Sequence, residues 1–193
     1  ACAAPLIEPD EAFAVLLADD LLEGDRPILS QMVDVYRETG RSLVAVQSVE
    51  PSETGSYGIV DADLPLHGRW SSIRDMVEKP SPGEAPSNLA VVGRYVLDGS
   101  IMKVLKELVP GRGGEIQLTD GISALIETSG VDAYRYIGRR YDCGSKIGYI
   151  EATLMHALRH PEFGPQVRVF FSSIVNETVP PNAPLVLKNK ASV

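Results

Sequence analysis

The spacing of apolar and polar residues switches repeatedly along this chain, and each switch marks an element. Phe13–Ala18 (FAVLLA) is a continuous apolar run that stops on Asp19 and Asp20. Such a run predicts a strand buried on both faces, as in a parallel sheet. From Pro27 to Gly40 the apolar residues Ile28, Met32, Val35 and Tyr36 fall at helical spacing, with proline in the first turn and glycine at the stop. Ser42–Val49 (SLVAVQSV) is a second β-type run. Strand, helix, strand is the unit that builds parallel sheets with right-handed crossovers, so the class is α/β.

Downstream, Tyr57–Asp61 and Ile73–Glu78 predict two short strands joined through a polar stretch that holds Trp70. Asn88–Val96 reads as a strand, Asp98–Leu108 as a helix, and Gly111–Gly114 as a glycine-rich turn. Ile116–Thr128 predicts a helix with Leu118, Ile122, Leu125 and Ile126 on one face; Ala133–Gly138 predicts a strand. Ser145–Leu158 predicts a helix ended by His160-Pro161. From about Phe163 the periodicity fades. Thr178–Pro184 (TVPPNAP) is unsuited to a regular helix or central strand, so 163–193 is expected to be an extended tail.

Composition narrows the classes. At 193 residues, 44% hydrophobic and 23% charged, the chain suits one globular domain of ordinary size. A net charge of −8 argues against a nucleic-acid partner, and an anionic small substrate would need a local Lys, Arg or divalent metal. No apolar run is long enough to span a bilayer and no stretch reads as a signal peptide. Cys2 and Cys143 make no disulfide framework and no metal motif, and the expected setting is cytoplasmic with reduced thiols. The first residue is Ala rather than Met, which suggests a fragment or a processed chain.

Three segments could carry chemistry. Asp19 and Asp20 follow a strand, where ligands of open α/β sheets sit, and a carboxylate there suits magnesium; both could equally be solvated loop acids. In Glu78-Lys79-Pro80, proline stops strand pairing and the lysine offers a point charge to a phosphate, although taken alone the segment reads more readily as an exposed, ion-bearing edge. Glu78 points away from Lys79 if the strand continues, and along the same groove if it kinks. In Tyr141-Asp142-Cys143-Gly144-Ser145-Lys146 a strand passes into a helix. Gly144 permits a tight turn, Ser145 can cap, and Asp142 could share a metal with Asp19 if the strand ends lie close; ordinary turn and cap chemistry accounts for the motif equally well. Arg112 and Glu115, by a glycine turn, read as a solvated arginine and a cap. His67, His156 and His160 are dispersed and read as structural or surface residues.

In this order and spacing, FAVLLADD (13–20), SYGIVD (56–61), VEKP (77–80), PSNLAVVGRYVL (86–97), GGEIQLTD (113–120) and RRYDCGSKIGYIEA (139–152) resemble bacterial UTP–glucose-1-phosphate uridylyltransferases, within the sugar nucleotidyltransferases. The resemblance runs from about Ala12 to Pro161. It implies a Rossmann-like core with a mixed sheet, and an enzyme that joins UTP and glucose 1-phosphate to give UDP-glucose and pyrophosphate with Mg2+. It implies Asp19 and Asp142 as metal ligands, Glu78 on the glucose hydroxyls, Lys79 on the sugar phosphate, and Gly58 and Gly93 as points of close backbone approach to the sugar. Catalysis would rest on Lys79 and Asp19. The family's Gly-x-Gly-Thr-Arg nucleotide loop has no counterpart in these residues. The expected organisation is therefore an N-terminally truncated domain over 1–162, holding the sugar-phosphate and metal half, followed by the tail. A homodimer or homotetramer is expected. A non-catalytic sugar-phosphate-binding fragment and a sister enzyme using dTTP are the alternatives.

Overall fold

The structure is a computed structural model that describes residues 2–63, 69–81, 83–109, 114 and 116–176. The Gly111–Gly113 part of the glycine-rich turn, Arg112, Glu115, His67 and the Thr178–Pro184 segment lie outside the described residues. Contacts divide the chain into two compact units, Ala1–Gly144 and Ser145–Val193, a boundary earlier than residue 162.

The first unit holds β1 (Ala12–Leu16), β2 (Asp20–Glu23), α1 (Ile28–Thr39), β3 (Ser42–Ser48), β4 (Gly58–Ala62), β5 (Trp70–Glu78), β6 (Leu89–Asp98), α2 (Ile101–Glu107), α3 (Leu118–Thr128), β7 (Val131–Arg135) and β8 (Arg139–Asp142). Six strands form one mixed sheet in the order β1-β6-β3-β7-β5-β4, and β4 also reaches β6. Among the described residues only β3 and β7 run parallel; β6 is antiparallel to β1, β3 and β4. The mixed sheet that the resemblance implies is present, while the two-sided burial expected of the Phe13–Ala18 run, as in a parallel sheet, is not. β1 and β3 point the same way, but β6 lies between them, and β1 alternates exposed and half-buried residues.

β3 meets the expectation for its apolar run. Leu43 and Ala45 pack with Ile28 and Met32 of α1, while Val44 and Val46 pack on the opposite face with Ile101 and Leu105 of α2 and Ile122 and Leu125 of α3. The helical spacing read in Ile28 and Met32 thus becomes one layer of a helix–sheet–helix sandwich. β2 and β8 form a separate antiparallel ribbon in which Asp20 pairs with Asp142. Neither strand shows an apolar pattern in sequence.

The second unit contains α4 (Lys146–Arg159) and α5 (Gly164–Asn176). Ser145 caps α4 by accepting a hydrogen bond from the Gly148 N–H at 3.0 Å, as its position suggested. α5 replaces the first part of the expected extended tail. Its half-buried Val167 and Phe171 lie four residues apart, Pro165 sits in its first turn, and Arg168 donates to the Leu158 carbonyl at 2.8 Å.

Candidate active site

Two adjacent acids leave β1 with opposite environments. Asp20 is buried: its Oδ2 accepts the Gly93 N–H at 2.8 Å, its Oδ1 accepts from Arg140 Nε, and its carbonyl accepts Arg94 Nη2 at 2.6 Å. Asp19 is exposed. Its carbonyl accepts the Cys143 N–H at 2.7 Å, which ties the end of β1 to the turn after β8. A Cβ on Gly144 would lie 3.0 Å from Asp19 Oδ2 and 3.1 Å from Asp142 Oδ1, so both carboxylates flank the bare face of this glycine. The strand ends that had to be close for Asp19 and Asp142 to share an ion are therefore neighbours. No cluster of three or more His, Cys, Asp or Glu able to hold a metal occurs among the described residues. A pair of oxygen donors is the set magnesium takes when substrate phosphates and waters complete its shell, so the residues present fit that ion.

The second group lies on the β4–β5 hairpin, where Gly58 pairs with Glu78. Thr119 Oγ1, at the start of α3, donates to Glu78 Oε2 at 2.5 Å, and a Cβ on Gly58 would sit 3.2 Å from that same oxygen. Gly58 thus leaves room for the Glu78 carboxylate. Lys79 has a φ of 46°, a left-handed conformation uncommon outside glycine, and its N–H donates to the Tyr57 carbonyl at 3.0 Å. That kink swings Lys79 Nζ to 3.8 Å from Glu78 Oε1. The two charged groups lie side by side rather than on opposite faces, and the ammonium remains largely exposed.

The two groups are joined through a buried guanidinium. Arg140 Nη1 donates to the Tyr57 hydroxyl at 3.3 Å, its guanidinium lies 5.1 Å from the Tyr57 ring centroid, and Nη2 is 3.9 Å from Asp142 Oδ1. Burial opposes its charge, but the bonds to Tyr57 and Asp20 outweigh burial and raise its pKa further. Tyr95 of β6 reports the same convergence. Burial pushes its phenol up to about 12, helped by the negative charges of Asp20, Glu78 and Asp19. Carboxylates from both groups therefore act on one hydroxyl.

Gly93 lies against the turn that leads from β1 into β2. A Cβ there would meet Leu17 Cβ at 2.6 Å and Asp20 Oδ2 at 2.7 Å, and its N–H is committed to Asp20. The glycine is required by the close passage of the β1–β2 turn. Sequence reasoning missed Arg140, Tyr57, Thr119 and Tyr95. Arg140 carried a usable signal, because it lies two residues before Asp142 and so shares its strand face. Thr119 carried none. A separate cavity of about 590 Å³, lined by Asp25, Arg26, Gln31, Trp70, Tyr134 and others, includes none of these residues.

Known proteins share this arrangement of elements. The chain is 44% identical over 165 residues to a UTP–glucose-1-phosphate uridylyltransferase of Staphylococcus epidermidis, covering 86% of this chain and 57% of that protein. A UTP-bound UGPase from Acinetobacter baumannii superposes with a TM-score of 0.77 at 40% identity, covering 92% of this chain and 60% of that one. A UDP-glucose pyrophosphorylase complexed with UDP-glucose superposes with a TM-score of 0.73 at 39% identity, covering 89% of this chain and 60% of that one. The chain spans a little over half the length of the curated relatives it matches. The nucleotidyl transferase family model matches residues 1–157, and with the mixed sheet and paired acids described above, the chain belongs to the nucleotidyl transferase family.

Proposed function

We propose that the protein carrying this chain transfers a uridylyl group from UTP to glucose 1-phosphate, giving UDP-glucose and pyrophosphate. The observation that carries the reading is the pairing of Asp19 and Asp142 beside Gly144, tied through Arg140 and Tyr57 to the Glu78–Lys79 pair. The relatives, a UTP–glucose-1-phosphate uridylyltransferase and structures holding UTP or UDP-glucose, favour uridylyl over thymidylyl transfer.

Both reactants are anions, so the barrier is dominated by charge repulsion and alignment. An oxygen of the glucose 1-phosphate phosphate forms a bond to the α-phosphorus of UTP. The bond from that phosphorus to the bridging oxygen breaks, and pyrophosphate leaves with the electron pair. Lys79 places its ammonium on the attacking phosphate. Glu78, held by Thr119, accepts hydrogen bonds from sugar hydroxyls. Asp19 and Asp142 would hold Mg2+, which when bound neutralises charge on the α-phosphate. No nucleophilic side chain is needed.

A homo-oligomer and a cytoplasmic setting belong to the same proposal, because UTP and sugar phosphates are intracellular metabolites; no helix among the described residues is long and apolar enough to cross a membrane. The test is an assay of the complete protein with UTP, glucose 1-phosphate and magnesium. UDP-glucose and pyrophosphate should form in equal amounts, and dTTP should be a poorer donor. Absence of both products would refute the proposal.

A further inference from the structure

Arg140 is one of the more deeply buried arginines of the chain, with only 8% of its side chain exposed, and its three nitrogens face three different segments. Nε meets Asp20 at the start of β2, Nη1 meets the Tyr57 hydroxyl just before β4, and Nη2 faces Asp142 at the end of β8. A planar fork of fixed geometry can hold several acceptors in register, which a lysine ammonium cannot do. Asp20 is itself fixed, by the Gly93 N–H and by Arg94 on its carbonyl. The guanidinium is thus anchored on its Asp20 side to β6, the strand that carries Gly93 and Arg94. On the Tyr57 side the linkage continues through the backbone: the Tyr57 carbonyl accepts the N–H of Lys79, whose left-handed φ needs such a restraint to persist.

Resting on the uridylyl-transfer reading above, we propose that Arg140 is a positioning residue that sets the distance between the ion-binding acids and the sugar-phosphate lysine. It steadies Asp142 beside Asp19 and, through Tyr57, holds the kinked backbone of Lys79. It touches neither substrate. A role in folding alone would lower stability without moving substrate or metal constants, and the two roles differ in what a steady-state assay reads.

The test compares Arg140→Met, Arg140→Lys and Tyr57→Phe in the complete protein, measuring KM for glucose 1-phosphate, KM for UTP and the magnesium concentration for half-maximal rate. Calorimetric binding of glucose 1-phosphate without metal provides a readout independent of turnover. Arg140→Met should raise both the glucose 1-phosphate KM and the magnesium requirement by roughly tenfold or more, the scale expected when one partner of a buried charge network is removed. Arg140→Lys should be intermediate. Tyr57→Phe removes only the acceptor hydroxyl; it should weaken glucose 1-phosphate in turnover and in metal-free binding and leave the magnesium requirement alone. Combined with Arg140→Met it should add nothing further, because both act through one linkage. If Arg140→Met does not fold, the other two variants decide. Tyr57→Phe with unchanged glucose 1-phosphate binding, Arg140→Lys with only a lowered melting point, or multiplicative effects in the double variant would each overturn the proposal. A wild-type protein that makes no UDP-glucose would end the functional reading and this inference together, whereas an active wild type with indifferent variants would end the inference alone.

Discussion

Asp19 and Asp20 are adjacent and chemically identical, yet one is exposed beside Asp142 and the other has both oxygens engaged. Their substitution should separate cleanly. Asp19→Asn should leave the melting transition near its original position and raise the magnesium requirement; an unchanged magnesium titration would contradict its role. Asp20→Asn should leave the buried Arg140 without its nearer counter-charge, with only Asp142 at 3.9 Å, and cost about 3 kcal/mol of stability, read by urea unfolding. Tyr95 and Tyr136 titrate late, each pushed up to about 12, in both cases chiefly by burial. Their folded pKa lies above the ordinary 10, so the stability they contribute is full below pH 10 and is lost as pH rises through about 12. Urea midpoints should fall across that window, and Tyr95→Phe should flatten the fall. At this scale the sequence displayed Lys79, Glu78 and Asp142 as charges at strand ends. It could not display that Lys79 adopts a left-handed backbone, or that Asp20 serves Arg140, because both follow from contacts distant in the chain.

The elements were legible where burial is two-sided or periodic. β3 is an apolar run covered on both faces, and α1 repeats its apolar residues at helical spacing. β1 carries a similar run but lies at the end of the strand order, so its pattern pointed to the wrong neighbours. β2 and β8 were invisible because a two-stranded ribbon of mostly charged residues has no apolar signature. They nonetheless bring Asp20 opposite Asp142 and put Arg140 beneath the site. A second pair, buried on its acidic side, lies at the centre of the sheet. Asp132 of β7 is fully buried, accepts from Ser72 Oγ of β5 at 3.1 Å, and lies 3.2 Å from Arg41 Nη2 at the entry to β3. Arg41→Ala should strand that carboxylate and destabilise the fold by about 3 kcal/mol, at the low end for a broken buried pair because Arg41 is partly exposed. Urea unfolding with an unchanged midpoint would show that water replaces the guanidinium without cost.

For the whole molecule, a net charge of −8 makes repulsion of anionic substrates the default, so any site for two phosphorylated reactants must concentrate positive charge locally. Asp19 and Asp142 prepare a place for a cation, and Lys79 supplies a fixed one. Because the Lys79 ammonium is largely exposed, raising the ionic strength should weaken the encounter with substrates, and removing either cation should lower turnover steeply. The approach of the Asp19 and Asp142 strand ends is a property of the mixed-sheet topology, which no local pattern specifies; the sequence could pose it as a condition, and the resemblance of six ordered motifs implied it. The most direct test is the turnover of the Lys79→Ala variant in the complete protein with UTP, glucose 1-phosphate and saturating magnesium. A loss of roughly a hundredfold or more, with the melting transition retained, is the expected result. A rate close to that of the unaltered protein would contradict the account.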